Sequence, residues 1–466
     1  MKVTLKNKKI NLKELAESCG GTLFGLDLPV ESVCTDSREA SEGTLFCAIK
    51  GERVDGHDYI AKAYELGCRT FLAEYLPDNI KELSDIGIVT VNDTVKAMNA
   101  FAESYSSTGK YKKIAVTGSV GKTTTKEFIS TAFFGKRVYK TQGNYNSTIG
   151  MPLSLLEIRE DTEVAVLEMG MSGRGEIELM SRTAKPDIAV ITNIGSSHLE
   201  MLGSRENIRD AKLEIVSGLC ENGILLINGD DAMLSDINVR VKVMSVGIDR
   251  EDSDFRAVDI TENDSGTGFS VLFQSKHSER IFIPVFGKHN VYAALFAYAA
   301  AILSGEKENG IICGLSSFER PKMRQNIFDL GGITIIEDCY NASPESMKAA
   351  LEVQSGIAKR SGNRRTVALL GNMLELGERS RELHRSVGEY AAEKKLDKLV
   401  TFGELASDIA DASGIADAVK LEDITTHQKA ADALMNILTK GDILLVKASR
   451  GVAAEKIIEI LKERMK

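Results

Sequence analysis

Lys113-Ile114-Ala115-Val116-Thr117-Gly118-Ser119-Val120-Gly121-Lys122-Thr123-Thr124-Thr125 is the stretch on which the reading of this chain turns. The apolar run 114–116 predicts a buried parallel strand and 126–133 predicts a helix, with a glycine-containing turn between them that ends in Gly-Lys-Thr. Such a turn directs backbone N–H groups at a phosphate, and the following helix adds the positive end of its dipole. In that role Thr117, Gly118, Ser119, Val120, Gly121 and Thr124 line the phosphates, Lys122 reaches the terminal ones and the Thr123 hydroxyl meets Mg²⁺. The usual spacing of a phosphate-binding loop is not met, because Val116 stands where its first glycine belongs and Gly118 comes later. The bland alternative is a strand–turn–helix with a chance Gly-Lys-Thr. The order strand, loop, helix favours nucleotide binding.

With 466 residues, two or three domains are expected. A hydrophobic content of 43% and a charged content of 27% describe a globular chain with ample core. A net charge of −9 argues against a broad nucleic-acid face. The 7 cysteines include no C-x-x-C pair, which fits reduced thiols and makes a zinc site unexpected. The N-terminal stretch has no apolar core for a signal peptide, and no apolar run is long enough for a membrane span. A cytoplasmic protein without membrane insertion is the expectation.

Residues 1–85 form a first α/β unit, with a helix over 12–19 closed by Gly20-Gly21 and polar clusters at strand ends. Those clusters suit ligand binding and turn chemistry about equally. From 86 to 326, strands and helices alternate around the loop, so a mainly parallel sheet is expected. Apolar runs at 164–167, 188–191 and 224–227 end in Glu168, in Thr192 to Glu200 and in Asn228 to Asp231. Ligand sites of parallel sheets lie beyond the carboxyl ends of the strands, which puts Glu168 and His198 on the same edge as the loop. Each taken alone reads as a hydrated carboxylate or an unliganded loop histidine; with the loop they suggest a metal site. From 327 to 466 the alternation restarts as a doubly wound, Rossmann-like unit without a dinucleotide fingerprint.

In 204–219, Ile208, Ala211, Ile215, Val216 and Leu219 recur at helical spacing, and Lys212 falls within their stripe. The ordinary outcome is an ammonium that snorkels to water. If the amine is instead held desolvated, its pKa falls, and a neutral amine can take up carbon dioxide as a carbamate.

Taken together, the motifs resemble the Mur ligases of peptidoglycan synthesis almost from end to end. The matching stretches are Asp36-Ser37-Arg38, Lys50-Gly51 and Asp55-Gly56-His57, the short Thr-Gly-x-x-Gly-Lys-Thr loop, Gln142 to Pro152, Glu168-Met169-Gly170 and His198-Leu199-Glu200. Ala211-Lys212, Gly287-Lys288-His289-Asn290, Asp338 to Pro344, Leu370 to Glu378, His384 and Lys447 to Gly451 continue the match. Ser147 and Ala448 depart from the pattern, standing where asparagine and glycine are common.

The resemblance implies a fold of three domains: a UDP-substrate domain (1–85), a central ATPase domain (86–326) and a C-terminal ligase domain (327–466). It implies ATP and two Mg²⁺ ions, and ligation of D-alanyl-D-alanine to UDP-N-acetylmuramoyl-tripeptide through an acyl phosphate, by a monomer. By the same resemblance, Lys122, Glu168, His198 and Lys212 carry the chemistry. Thr123, Glu168, His198 and Lys212, the last as N-carboxylysine, serve the metals. Asn290, Arg324 and Asp338 hold ATP; Ser37, Arg38, Lys50 and Gly51 hold the uridine diphosphate. Asn144, Asn146 and Thr148 contact the muramoyl peptide, and Tyr340, Asn341, Lys447, Ser449 and Arg450 face the dipeptide or the peptide carboxylate. The rivals are a sister ligase acting on another peptide or on folate, a nucleotide switch, and a small-molecule kinase.

Overall fold

The computed structural model describes residues 1–465. Three sheets follow one another along the chain. The first has 6 strands, running from Lys2–Thr4 through Ser32–Cys34, Thr44–Cys47, Thr70–Ala73 and Gly87–Thr90 to Thr22–Gly25. Its four inner strands are parallel and its two outer ones antiparallel. The helix Leu12–Cys19 starts where the Asn11 side chain accepts from the Glu14 N–H, and it stops at Gly20, whose φ of 66° an L side chain disfavours.

The central sheet has 10 strands. The strand Lys112–Thr117 lies between Val164–Glu168 and Ile188–Ile191, with Val138–Lys140 outside on one flank and Ile224–Asn228 and Lys242–Gly247 on the other, all parallel. Parallel strands are covered on both faces, so they read as unbroken apolar runs rather than as alternation. Phe255–Glu262 continues the parallel order, and Thr267–Phe273, Lys276–His277 and Ile281–Ile283 complete the sheet as an antiparallel extension. The helix Lys288–Leu303, apolar on every side, is buried against the helix Lys122–Ala132.

The third sheet orders Asn326–Leu330, Ile333–Glu337, Ile443–Lys447, Thr366–Gly371, Lys398–Phe402 and Val419–Leu421, parallel except at the first pair. Two expected limits shift. The strand Gly87–Thr90 belongs to the first sheet, so that unit runs past residue 85. The strand Asn326–Leu330 pairs with Ile333–Glu337, so the third sheet begins before residue 327. The helix Thr94–Ser106 then joins the first unit to the second in one apolar core. At that junction Asn99 donates to the carbonyls of Val95 (2.9 Å) and Thr148 (2.8 Å) and accepts from the Thr183 hydroxyl.

The helix expected over 204–219 is α-helical only at Arg205–Leu213 and tightens into a 3₁₀ turn, Glu214–Gly218. The Ser181 hydroxyl captures the Ile215 carbonyl at 2.5 Å, and a Cβ on Gly218 would sit 1.9 Å from the Ser181 carbonyl oxygen. Close packing on the helix Glu176–Ala184 therefore sets where the α-helix ends. No helix among the described residues is long and apolar enough to cross a membrane.

Candidate active site

The phosphate loop is held from one side by the end of the neighbouring strand. The Val120 N–H donates to Asn193 Oδ1 (3.0 Å), and the Val120 carbonyl accepts from Asn193 Nδ2 (2.9 Å) and the Thr192 hydroxyl (2.6 Å). The Ser119 hydroxyl accepts from the Gly195 N–H at 2.8 Å. Gly118 is obligatory here: its φ is 148°, and a Cβ would lie 1.9 Å from Thr192 Oγ1. Gly121, at φ 87°, caps the helix, which begins at Lys122 rather than at 126 as expected. The first N–H groups of that helix have no partner within it, as an anion site requires. Lys122 folds over the loop and donates to the Gly118 carbonyl at 2.8 Å. Burial pushes its ammonium below the ordinary lysine value, and nearby Glu168 opposes that shift.

Glu168 ends the adjacent strand and is 3% exposed. Its Oε1 accepts from Asn146 Nδ2 at 2.8 Å, but its Oε2 is buried without a hydrogen-bond partner. Lys126, which the sequence did not single out, stands 3.8 Å from that oxygen and donates instead to the Thr141 carbonyl. A buried carboxylate oxygen left unmatched is costly, and it suits a hard cation. With the Thr123 hydroxyl and the His198 imidazole nearby, the donor set fits Mg²⁺. Among the described residues there is no group of three or more His, Cys, Asp and Glu side chains that could hold a metal.

Lys212 is 1% exposed, which overturns the snorkelling outcome. The shortened helix and the turn after it leave the stem no route to water. Burial pushes its ammonium well below the ordinary value, and repulsion from Lys122 adds to this.

Residues of the third unit, of the segment that leads into it and of the helix Lys288–Leu303 reach the same place. Arg324 donates from Nη2 to the Thr123 hydroxyl (3.1 Å) and lies 4.3 Å over the Tyr340 ring. Asp338 accepts from Lys447 Nζ at 2.7 Å. Asn290 donates to the Phe286 carbonyl and to Gln325 Oε1, while Gln325 and His289 Nε2 lie 2.7 Å apart. Glu345 accepts from the Ser196 N–H and hydroxyl, both at 2.9 Å, and Glu375 Oε2 lies 2.8 Å from His198 Nδ1. The His198 hydrogen bond holds the Glu375 carboxyl below its usual range. Arg324, Asp338, Asn290, Gln325, Glu345 and His198 wall a cavity of about 440 Å³ that also takes in Asn146, Tyr340 and Asn341, with Glu375 outside its lining. Gln325 and Glu345 escaped sequence reading, and Glu375 stood in the matching stretch Leu370 to Glu378 without an assigned role, because nothing local marks the distant partner of such a side chain.

The remaining candidates lie apart from this cavity or are engaged elsewhere. Lys447 reaches the cavity wall, where its buried ammonium donates to Asp338 and to the Asn341 carbonyl. Ser449 is likewise buried and accepts from the Leu374 N–H at 3.0 Å. Arg450 is exposed and paired with Glu455. In the first unit Ser37 is buried in a turn capped by Asp36, whose carboxylate binds the exposed Arg38 guanidinium at 2.6 Å and is held down at about 2. Lys50, Gly51 and Asn144 are exposed, and Thr148 is half-buried. Of the two departures, Ser147 accepts from the Gly150 N–H through its hydroxyl, supporting the start of the helix Gly150–Leu156. The Ala448 methyl fills the space over Gly371, where a second Cβ would come within 2.6 Å.

Three family descriptions match the chain: "Mur ligase family, catalytic domain" over 29–107, "Mur ligase middle domain" over 116–301 and "Mur ligase, glutamate ligase domain" over 323–450. The UDP-N-acetylmuramoyl-tripeptide--D-alanyl-D-alanine ligase of Bacillus subtilis is 38% identical over 98% of this chain and 99% of its own. The enzyme of the same description from Escherichia coli is 33% identical, over 97% and 98%. Among solved structures, MurF from Acinetobacter baumannii superposes with a TM-score of 0.88 at 28% identity, covering 98% of this chain and 99% of that one. The MurF ligase of Thermotoga maritima in complex with ADP gives 0.82 at 30% identity, over 93% and 97%.

Proposed function

The chain belongs to the Mur ligase family, and from that premise we propose that it is the ATP-dependent ligase that joins D-alanyl-D-alanine to UDP-N-acetylmuramoyl-tripeptide in peptidoglycan synthesis. One observation carries the reading: the phosphate loop, the unmatched oxygen of Glu168 and the side chains of the third unit meet in a single cavity.

Forming an amide from a carboxylate requires a leaving group on the carboxyl carbon. In the proposed reaction a carboxylate oxygen of the tripeptide attacks the γ-phosphorus of ATP and ADP departs. The dipeptide amine then adds to the acyl carbon, loses a proton, and expels phosphate. The protein's share is chiefly positioning and charge compensation. Thr117 to Thr124 hold the phosphates; Lys122 balances the charge on the transferring group. Asn290, Arg324 and Asp338 seat the nucleotide, Arg324 by leaving Thr123 for a phosphate oxygen. Thr123, Glu168 and His198 would hold two Mg²⁺ ions, which neutralise the two anions that must approach. Lys212, neutral because it is buried, would add its nitrogen to carbon dioxide, release a proton and offer the carbamate oxygens as a further ligand.

Asn144, Asn146 and Thr148 are assigned to the muramoyl peptide, and Tyr340, Asn341 and Arg450 to the incoming dipeptide. Lys447 and Ser449 act by fixing Asp338 and the Leu374 loop. Ser37, Arg38, Lys50 and Gly51 are assigned to the uridine diphosphate, at the far end of an extended substrate. The enzyme is proposed to work as a monomer in the cytoplasm. Phosphate release from ATP with UDP-N-acetylmuramoyl-tripeptide, with and without D-alanyl-D-alanine, tests the reading, with the product identified by mass. Dipeptide-dependent release and a UDP-linked pentapeptide are expected. Release indifferent to the dipeptide would overturn it in favour of a switch, and a stable phosphorylated product in favour of a kinase.

A further inference from the structure

His198 and Glu375 come from different units and meet with unusual backbones. His198 has φ 66° and Glu375 has φ 65°, the left-handed region that non-glycine residues seldom adopt. Strain of this kind persists only where the surroundings impose it. On the Glu375 side the supports are identifiable. The Met373 N–H donates to His384 Nε2 (2.9 Å), while His384 Nδ1 bonds the Ser380 carbonyl (2.7 Å), which makes Nε2 the acceptor nitrogen of the buried ring. The Leu374 N–H donates to Ser449 Oγ, and the Asn372 side chain accepts from the Ala406 N–H. A backbone bond from the Glu200 N–H to the Glu375 carbonyl (3.2 Å) fastens the loop to the central unit beside His198. Gly377 lies against Glu200, where a Cβ would come within 3.1 Å of Cα.

The chemistry of the pair is directional. A carboxylate at Nδ1 makes that nitrogen the proton donor, so Nε2 keeps its lone pair for another partner. Histidines that hold metals are commonly oriented and made more basic in this way. We propose that Glu375 is a positioning residue acting through His198: docking of the third unit supplies the carboxylate that fixes the imidazole tautomer and so completes the cation site. Until the third unit docks, His198 lacks that partner. This inference rests on the ligase reading, in which His198 serves a metal.

The test uses the full chain with Glu375→Ala, Glu375→Asp and Glu375→Gln. One arm measures kcat and the KM of each substrate in dipeptide-dependent phosphate release; the other measures Mn²⁺ affinity in the presence of ADP by electron paramagnetic resonance. Glu375→Ala is expected to lower kcat and Mn²⁺ affinity by roughly 10–100-fold, the usual cost of losing such a support, with both substrate KM values within about twofold. Glu375→Asp, which keeps the charge but withdraws the oxygen, should fall between Ala and the parent, and it carries the test if the Ala variant fails to fold. Glu375→Gln retains an acceptor for the Nδ1 proton and should recover most of both quantities. Parental kcat and Mn²⁺ binding in the Ala and Asp variants would overturn the proposal, as would a change confined to KM. If the parent protein shows no dipeptide dependence, the ligase reading has failed, and the Mn²⁺ arm still judges the pairing.

Discussion

Glu168 and Asp442 are both buried carboxylates at the ends of parallel strands, and the chain treats them in opposite ways. Asp442 is 2% exposed, just ahead of the strand Ile443–Lys447. It accepts from Arg365 Nη2 (2.6 Å) and Nε (2.9 Å) and from the Thr439 N–H (2.8 Å). Glu168, at the carboxyl end of its strand, accepts a hydrogen bond at one oxygen, while the other has no hydrogen-bond partner and only the Lys126 ammonium 3.8 Å away. A saturated carboxylate supports the fold. An unsaturated one at the edge where parallel sheets bind ligands is a functional group held at some cost in stability.

The contrast breaks if either residue behaves like the other, and a site of convergent charges should fail hardest at its centre. Lys122→Ala is expected to cut dipeptide-dependent phosphate release by on the order of 10³-fold, while the thermal unfolding midpoint holds. Glu168→Gln should lower the same rate by about 10²-fold and leave the unfolding midpoint unchanged or raised, because a poorly matched buried carboxylate becomes a neutral amide. A marked loss of stability with activity intact would place Glu168 on the structural side. Asp442→Asn should do the reverse: normal kcat, and a loss in denaturant unfolding of about 2 kcal/mol, below the usual value for a buried pair because Arg365 is one-third exposed.

Asp442 also fixes the sign of an acid effect. Burial pushes its carboxyl up, but the Arg365 and Thr439 bonds outweigh this and leave it lowered. The stabilisation is therefore complete above the unfolded value of about 3.9 and is lost as pH falls through the lower folded value. Unfolding of the Asn variant should lack that part of the acid limb. Arg38→Ala is the mildest change: about a fivefold rise in KM for the UDP-linked substrate with kcat kept, because an exposed guanidinium already tied to Asp36 exchanges one partner for another.

Much of this was legible in residues whose role is local. The loop around Gly118 and Gly121, the apolar strand runs and Glu168 at a strand end follow from chain order and spacing, and the strand expected at 188–191 coincides with Ile188–Ile191. Lys212 marks where local pattern stops being enough. Its neighbours in sequence predict a stripe, but its burial depends on Ser181 and Gly218 closing the turn after it. Glu345, Glu375 and Gln325 were illegible because their targets are far away in the chain. Arg38 and Lys447 have the right type for their expected ligands, yet the carboxylates that engage them, Asp36 and Asp338, compete for the same hydrogen bonds.

The clamp of Thr192 and Asn193 on Val120 has a consequence for the encounter with nucleotide. A loop fastened by Asn193, with Gly118 pressed on Thr192, has its backbone fixed by contacts within the protein. The conformational entropy of ordering it is settled during folding, so nucleotide affinity reflects contact chemistry with little subtraction for rearrangement. Association should then be limited by diffusion into the cavity and show a single kinetic phase. Loosening the clamp through Asn193→Ala would move that entropy into the binding step, where it would appear as a slower approach to a weaker complex.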